Sequence, residues 1–346
     1  LAIPINVNVQ LTYAWALGTA NCHYRVNTDT NWVSATMSQS GNNFSVQLPA
    51  QTEGNIIAYY IALEDTYGIQ AGVTPFSSNK SPIHFANVPY YILVGYDLKE
   101  EEDFDFSIGF WQTGAVGDNA TTGFWSIGTP IGSFVTPNDP NTMVQPDHQH
   151  TQGGSECAFT GNASSVSASI GENDIDGGHT TLISPTYDMT NYVNPAFSYW
   201  RWFTNNTGAE PNADWWQVAI TDDGINWVEV ENNLTSDKSW RRFVFRAKDY
   251  VSLTSNQVQL RFIASDSTYG ALSGGSLVEA AVDDLYLWDA VNSTGISDFN
   301  PIGNSSKLIK ITDVLGREVD PTQIIEKTTL FYIYNDGSVE KRVFIK

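Results

Sequence analysis

Along most of this chain apolar residues recur at every second position in short runs, and almost nowhere at the 3.6-residue period of an amphipathic helix. Phe44–Leu48, Ile56–Leu63, Gln217–Ile220, Val258–Phe262 and Leu285–Trp288 are such runs, rich in Val, Ile, Tyr, Phe and Trp. Alternation of this kind belongs to strands that turn one face to a core and the other to water or a neighbouring layer. Gly, Asn, Asp and Pro break the runs, and Asp223-Gly224 and Asp336-Gly337 are turn signals between them. Runs repeating about every ten residues predict an all-β chain built from sandwiches.

The pattern divides into three parts. In residues 1–95, Val7, Val9 and Leu11 alternate, His23–Val26 leads to Trp32, and Phe44–Leu48 is followed by Tyr59-Tyr60-Ile61-Ala62. This predicts a small β-sandwich, and it resembles the immunoglobulin-like domains of secreted bacterial multidomain proteins. Its expected role is that of a spacer. Residues 96–298 predict a larger sandwich, and 299–346 a short meander.

Charge sharpens the division. The 346 residues carry a net charge of −21. Residues 1–95 hold 2 basic and 4 acidic side chains, 96–298 hold 8 and 28, and 299–346 hold 7 and 6. Nine of the 11 Trp also fall in the middle part. So acidic a surface excludes a nucleic-acid partner, which needs a basic face to neutralise phosphates. No apolar run approaches the roughly 18–20 residues of a membrane-spanning helix. The two cysteines, Cys22 and Cys157, make no disulfide framework and are expected as free or core thiols. The chain opens on Leu1, so it reads as a mature or processed piece.

Candidate chemistry lies mainly in the middle part. Glu172-Asn173-Asp174-Ile175-Asp176-Gly177-Gly178 packs three carboxylates and an amide into one loop. Close carboxylates repel unless a cation sits among them, and a hard cation taking six to eight oxygens suits this supply. The spacing is not that of an EF-hand. A second acidic pair, Asp283-Asp284, lies on a predicted strand; neighbours there point to opposite faces, so only one is expected to join any given site. In Tyr199-Trp200-Arg201-Trp202-Phe203 the residues Trp200 and Trp202 share one face, and Tyr199, Arg201 and Phe203 the other. Two readings stand: a core with a cross-strand ladder, or an aromatic platform for a sugar or peptide with Arg201 available for cation–π contact.

A resemblance becomes specific over roughly residues 105–290. Gly117-Asp118, Gln145-Pro146-Asp147, Cys157–Ala163, Asp174-Ile175-Asp176, Tyr199–Trp202, Asp223–Val228, Arg261–Asp266 and Ser276–Asp284 together resemble a jelly-roll module. It is the module found downstream of the catalytic domain in secreted bacterial zinc carboxypeptidases, similar in layout to cleaved-adhesin and MAM-type jelly rolls. Such folds commonly hold structural calcium near the first and last strands. Carried over, the resemblance implies Asp174, Asp176 and Asp283 as calcium ligands, with Glu172 and Asp118 beside them.

The tail reads strand, Gly turn, strand, turn, strand. Asp313-x-x-Gly316-Arg317, Tyr332-Ile333-Tyr334, the Gly337 turn, and a closing strand with Lys341, Arg342 and Lys346 resemble the C-terminal sorting domain of the type IX secretion system of Bacteroidota. The resemblance implies export by that machinery and a secreted or cell-surface location.

Nothing in the sequence has the spacing of a catalytic site. There is no pair of His on one helical turn with a Glu between, no Gly-x-Ser-x-Gly elbow and no phosphate-cradling Gly loop. His148 and His150 share a strand face next to Asp147, without an identifiable third ligand. The expectation is a non-catalytic accessory or adhesion module, stabilised by calcium, that binds a glycan or protein. The alternative is the non-catalytic C-terminal part of a secreted zinc-carboxypeptidase-type metallopeptidase whose catalytic domain lies upstream of Leu1.

Overall fold

The computed structural model describes residues 2–11, 17–75, 89–105, 110–136, 139, 142–151, 153–234, 236, 238–266, 276–290, 308–313, 319, 328–334 and 339–344. It is all-β, as the alternation predicts. Residues 1–292 form one compact unit and 293–346 another.

The first unit contains two sandwiches. In the N-terminal one, Asn43–Thr52 pairs with Ala2–Gln10 on one edge and Ser38–Ser40 on the other. The second sheet runs Val33–Thr36, Leu17–Val26, Ile56–Asp65, Gln70–Thr74, and Tyr90–Leu93 also pairs with Ile56–Asp65. Ile5, Val7, Phe44 and Leu48 from one sheet meet Ala20, Cys22, Tyr24, Ile57 and Ile61 from the other. These are the inward positions of the period-2 pattern, and their burial drives the two sheets together.

The larger sandwich has a five-stranded sheet ordered Gln112–Thr113, His179–Ile183, Gln259–Ser265, Trp215–Thr221, Val228–Asn233. Its other sheet is ordered Trp125–Gly128, Cys157–Thr160, Glu279–Ala290, Pro195–Thr204, Arg241–Arg246, and Tyr96–Glu102 pairs with the second half of Glu279–Ala290. First and last strands of this sandwich are therefore neighbours. Phe197, Tyr199, Phe203, Trp216, Val218, Phe262, Val282 and Leu287 fill the space between the sheets. Both cysteines are free and buried, Cys22 in the first sandwich and Cys157 in the second.

The two sandwiches share an apolar contact in which Ile56 joins Ala196 and Val244, ringed by Tyr91, Leu93, Tyr96 and Trp288. At its edge the Gly54 carbonyl accepts from Asn194 Nδ2 at 2.8 Å and from the Tyr96 hydroxyl at 2.9 Å. Gly54 has φ of +82°, and a Cβ there would lie 2.2 Å from Asn194 Nδ2. Both the left-handed backbone and the close approach require glycine. The first sandwich is thus docked on the second, a closer relation than the spacer role expected from sequence.

In the second unit Leu308–Asp313, Thr328–Tyr334 and Val339–Phe344 form a three-stranded antiparallel sheet. Of the sorting-signal residues, Asp313, Tyr332, Lys341 and Arg342 lie in these strands. Gly316, Arg317, Gly337 and Lys346 lie outside the described residues. No helix among the described residues is long and apolar enough to cross a membrane.

Candidate functional site

The outward face of the six-stranded sheet gathers the side chains most suited to a ligand. Along Pro195–Thr204, Phe197, Tyr199 and Phe203 turn into the core, which leaves Trp200 and Trp202 on the outward face. Register then decides their neighbours. Trp200 lies opposite Arg242 on one side and Asp283 on the other, while Ser198 lies opposite Tyr286 and Ala196 opposite Trp288. Trp200, Arg242, Tyr286 and Trp288 are all half-buried.

The segment around His150 crosses this face. The His150 ring stacks on Trp200 with centroids 3.7 Å apart and planes 17° from parallel, and Trp240 meets His150 edge-on at 6.2 Å. The Arg242 guanidinium lies 5.7 Å over the Trp288 ring. Ser198 Oγ ties the two together, accepting from Trp288 Nε1 at 2.9 Å and from Arg242 Nη2 at 3.3 Å. The result is a strip of aromatic rings with cationic and hydroxyl groups between them. Such a strip can stack on the C–H face of a sugar ring and hydrogen-bond its hydroxyls.

Two adjacent carboxylates hold His150 in place. Asp283 Oδ2 accepts from the backbone amides of His150 at 2.7 Å and Thr151 at 3.2 Å. Asp284 Oδ2 is 2.6 Å from His150 Nδ1, and Asp284 also accepts from the Thr151 hydroxyl and, at 3.1 Å, from the Tyr286 hydroxyl. On a regular strand Asp283 and Asp284 would point to opposite faces, which is what the sequence predicts. The structure corrects this: Asp284 has φ of +48° and the register shifts between Ser198 and Trp200, so a bulge lets both acids address one segment. Their environments differ. Burial, and then the neighbouring Asp284, push Asp283 up to about 7. Asp284 is buried as well, yet the donors from His150 and Thr151 outweigh burial and hold it below the usual carboxylate range.

Of the three expected platform residues, only Trp200 has the required exposure. Trp202 is 4% exposed, packed among Phe134, Met143, Cys157, Phe159 and Ala281. Its Nε1 donates to the Val144 carbonyl at 2.8 Å. Phe134 and Met143 lie over this part of the sheet and make its outward face a second small core. Arg201 is 1% exposed and inward-facing. Its Nε donates to Glu231 Oε1 at 2.7 Å, while Glu231 Oε2 accepts from the Tyr199 hydroxyl at 2.7 Å and Trp216 Nε1 at 3.0 Å. Arg201 is thus committed to a buried ion pair, which corrects its expected availability to a ligand. The other members of the strip, His150, Trp240, Arg242, Tyr286 and Trp288, were not singled out from the sequence as ligand-binding. Tyr286 and Trp288 had a signal, since they alternate within the Leu285–Trp288 run; His150, Trp240 and Arg242 join only through tertiary contacts.

The expected calcium ligands are dispersed. Asp118 accepts from the Ala115 and Thr181 amides and the Thr181 hydroxyl, Glu172 from Ser164, and Asp283 from the His150 segment. Asp174 is 4% exposed and pushed up to about 7, first by burial and then by Asp176 and Asp266. Asp266 is likewise raised by burial, and the Gly177 amide donates to it at 2.8 Å. Asp174, Asp176 and Asp266 are thus mutually repelling oxygen donors around one loop. Among the described residues, however, no three His, Cys, Asp or Glu are grouped so as to hold a metal ion. His148 and His150 do not converge: His148 pairs with Asp147, and His150 with Asp284.

Comparison with known proteins adds a likeness of fold. No protein-family model matches the chain, and no curated protein does. Among solved structures it is similar to TmCBM61 in complex with β-1,4-galactotriose, with 11% identity, 54% of this chain and 99% of that one covered, and a TM-score of 0.30. It is also similar to the C-terminal family 22 carbohydrate-binding module of Clostridium thermocellum Xyn10B, with 9% identity, coverage of 56% and 93%, and a TM-score of 0.30. A third is the CBM22-1-CBM22-2 tandem domain of Paenibacillus barcinonensis Xyn10C, with 11% identity, coverage of 84% and 78%, and a TM-score of 0.29. All three are β-sandwich carbohydrate-binding modules; their ligands are properties of those proteins.

Proposed function

We propose that the chain is a non-catalytic accessory module that binds a glycan on the outward face of its six-stranded sheet. The observation that carries this reading is the half-open Trp200 ring clamped by His150, in line with Arg242, Tyr286 and Trp288. Rings that keep part of their surface open on one strip, beside hydrogen-bonding groups, suit stacking on a sugar. The test is retention of the full chain on immobilised polysaccharides in native affinity gels. Trp200→Ala should weaken retention about tenfold, the loss of one stacking ring. Undiminished retention of a folded variant would refute the assignment of this face.

Two further readings accompany it. Calcium acting on the Glu172–Gly178 loop is supported by charge: Asp174, Asp176 and Asp266 repel one another, and a hard cation would relieve this. The group would supply only stabilisation. The melting temperature should rise with calcium over chelator, and Asp176→Ala should remove the difference; identical curves for the parent chain in both conditions would rule the ion out. Export to the cell surface by type IX machinery is supported by the tail motif alone. Deleting residues 307–346 should then leave the protein inside the outer membrane, and normal surface display of the truncated chain would end that reading.

A further inference from the structure

A second recess lies where the two sandwiches of the first unit meet. It is a cleft of about 300 Å³, lined by Arg25 and Asp29 from the first sandwich and by Tyr91, Phe243, Arg246 and Tyr250 among others. The apolar contact of Ile56 with Val244 closes one side.

Most of the charge around this cleft is already committed. Arg246 forms a two-pronged pair with Asp249, with both bonds at 2.8 Å. Glu231 is taken up by Arg201, Tyr199 and Trp216. Arg25 is different. It is half-buried, and its guanidinium stands 4.7 Å from the centroid of the Trp32 ring, which props it. Among the described residues it has no salt bridge and no side-chain hydrogen bond. A chain with 38 acidic and 17 basic side chains has carboxylates to spare, and none is placed on this one. A half-buried guanidinium without a carboxylate among the described residues is matched best by a planar carboxylate.

The hydroxyls nearby complete the picture. The hydroxyls of Tyr91 and Tyr250 also have no hydrogen-bond partner among the described residues. Burial raises both above the ordinary phenol range, so both are neutral donors near pH 7, and the charge of Arg25 acts on both. Their rings stand edge-on to Phe243 and Phe245, at 5.9 and 5.5 Å. One unused cation, two unused hydroxyls and aromatic faces in a recess at the small end of ligand-pocket volumes describe a site for a single ring.

We propose that this cleft binds a carboxylate-bearing sugar unit, a hexuronate, with its carboxylate on Arg25 and its ring hydroxyls on Tyr91 and Tyr250. Asp29 stands at the rim as the one uncommitted acid and opposes the ligand's charge.

The test is titration of the full chain with D-glucuronate, with D-glucose and acetate as controls, read by ligand-detected NMR and Trp fluorescence. Glucuronate should bind, and both controls should bind at least about tenfold more weakly. Arg25→Gln should lower the affinity about 10–100-fold, as expected for a lost charge-assisted bond. Arg25→Lys keeps the charge over Trp32 but not the fork, and should fall between the two. Asp29→Asn should tighten binding. Trp200→Ala should leave glucuronate binding unchanged, which separates this cleft from the aromatic strip. Equal binding of glucose, no binding of glucuronate, or full affinity in folded Arg25→Gln or Arg25→Lys protein would each overturn the proposal.

Discussion

Two strands of equal length behave differently in the two sandwiches. Asn43–Thr52, in the first, buries Phe44 and Leu48 and leaves most of the intervening positions exposed. Pro195–Thr204, in the second, is buried at every position except the half-open Trp200. The first strand has one covered face. The second has the core on one side and, on the other, Phe134, Met143, His150 and the first sandwich. A strand covered on both faces must satisfy each polar group internally, which is why Arg201 meets Glu231 and why Trp202 donates to a backbone carbonyl. Against such complete cover, one ring left half-open is the exception on its strand, whereas an exposed residue on Asn43–Thr52 is the rule.

The comparison can be broken most severely at the buried ion pair. Glu231→Ala leaves the Arg201 guanidinium uncompensated inside the core and should cost about 3–5 kcal/mol in urea unfolding. A loss below about 1 kcal/mol would mean that water reaches Arg201 and that the strand is not covered on both faces.

A middle-sized effect is expected at Asp283, whose proton depends on the cover provided by the His150 segment. Its folded value of about 7 lies above the ordinary carboxylate value of 3.8. Between those values the folded protein holds a proton that the unfolded chain has released, so stability falls as pH rises through this window and levels off above it. Asp283→Asn should flatten the slope and raise stability near pH 7 by roughly 2 kcal/mol. Melting curves across the window check this; an unchanged slope would place the titration elsewhere. The smallest effect should come from Trp200→Ala, about 1 kcal/mol or less, because the ring is half-open and its role lies in binding. A loss as large as that of a core tryptophan, roughly 3–5 kcal/mol, would make Trp200 structural and remove it from the platform.

Much of the fold was legible in the sequence, for a simple reason. Phe44–Leu48 lies in Asn43–Thr52, Ile56–Leu63 in Ile56–Asp65, Gln217–Ile220 in Trp215–Thr221 and Leu285–Trp288 in Glu279–Ala290, and Val258–Phe262 starts one residue before Gln259–Ser265. Alternation is a local property, and it also predicted that Trp200 and Trp202 share one face and Tyr199, Arg201 and Phe203 the other; which of the two faces meets the core it left open. The site was legible only in part. The acidic loop and the Asp283-Asp284 pair are visible as residues, but their partners are not. His150 reaches Trp200 across about fifty positions of sequence, and Asp284 turns toward it only because the strand bulges.

By itself, then, the sequence determined the strands, the pairing of residues onto shared faces, and the concentration of acid and tryptophan in the middle part. These follow from the period of the backbone and from counting charges. Only the tertiary structure decided that Trp202 and Arg201 are buried while Trp200 is half-open, that Asp283 and Asp284 serve the same loop, and that Arg25 lines a cleft between two sandwiches with no salt bridge among the described residues. Period 2 assigns a residue to a face; what covers that face depends on segments far away in the chain, and no local pattern records them.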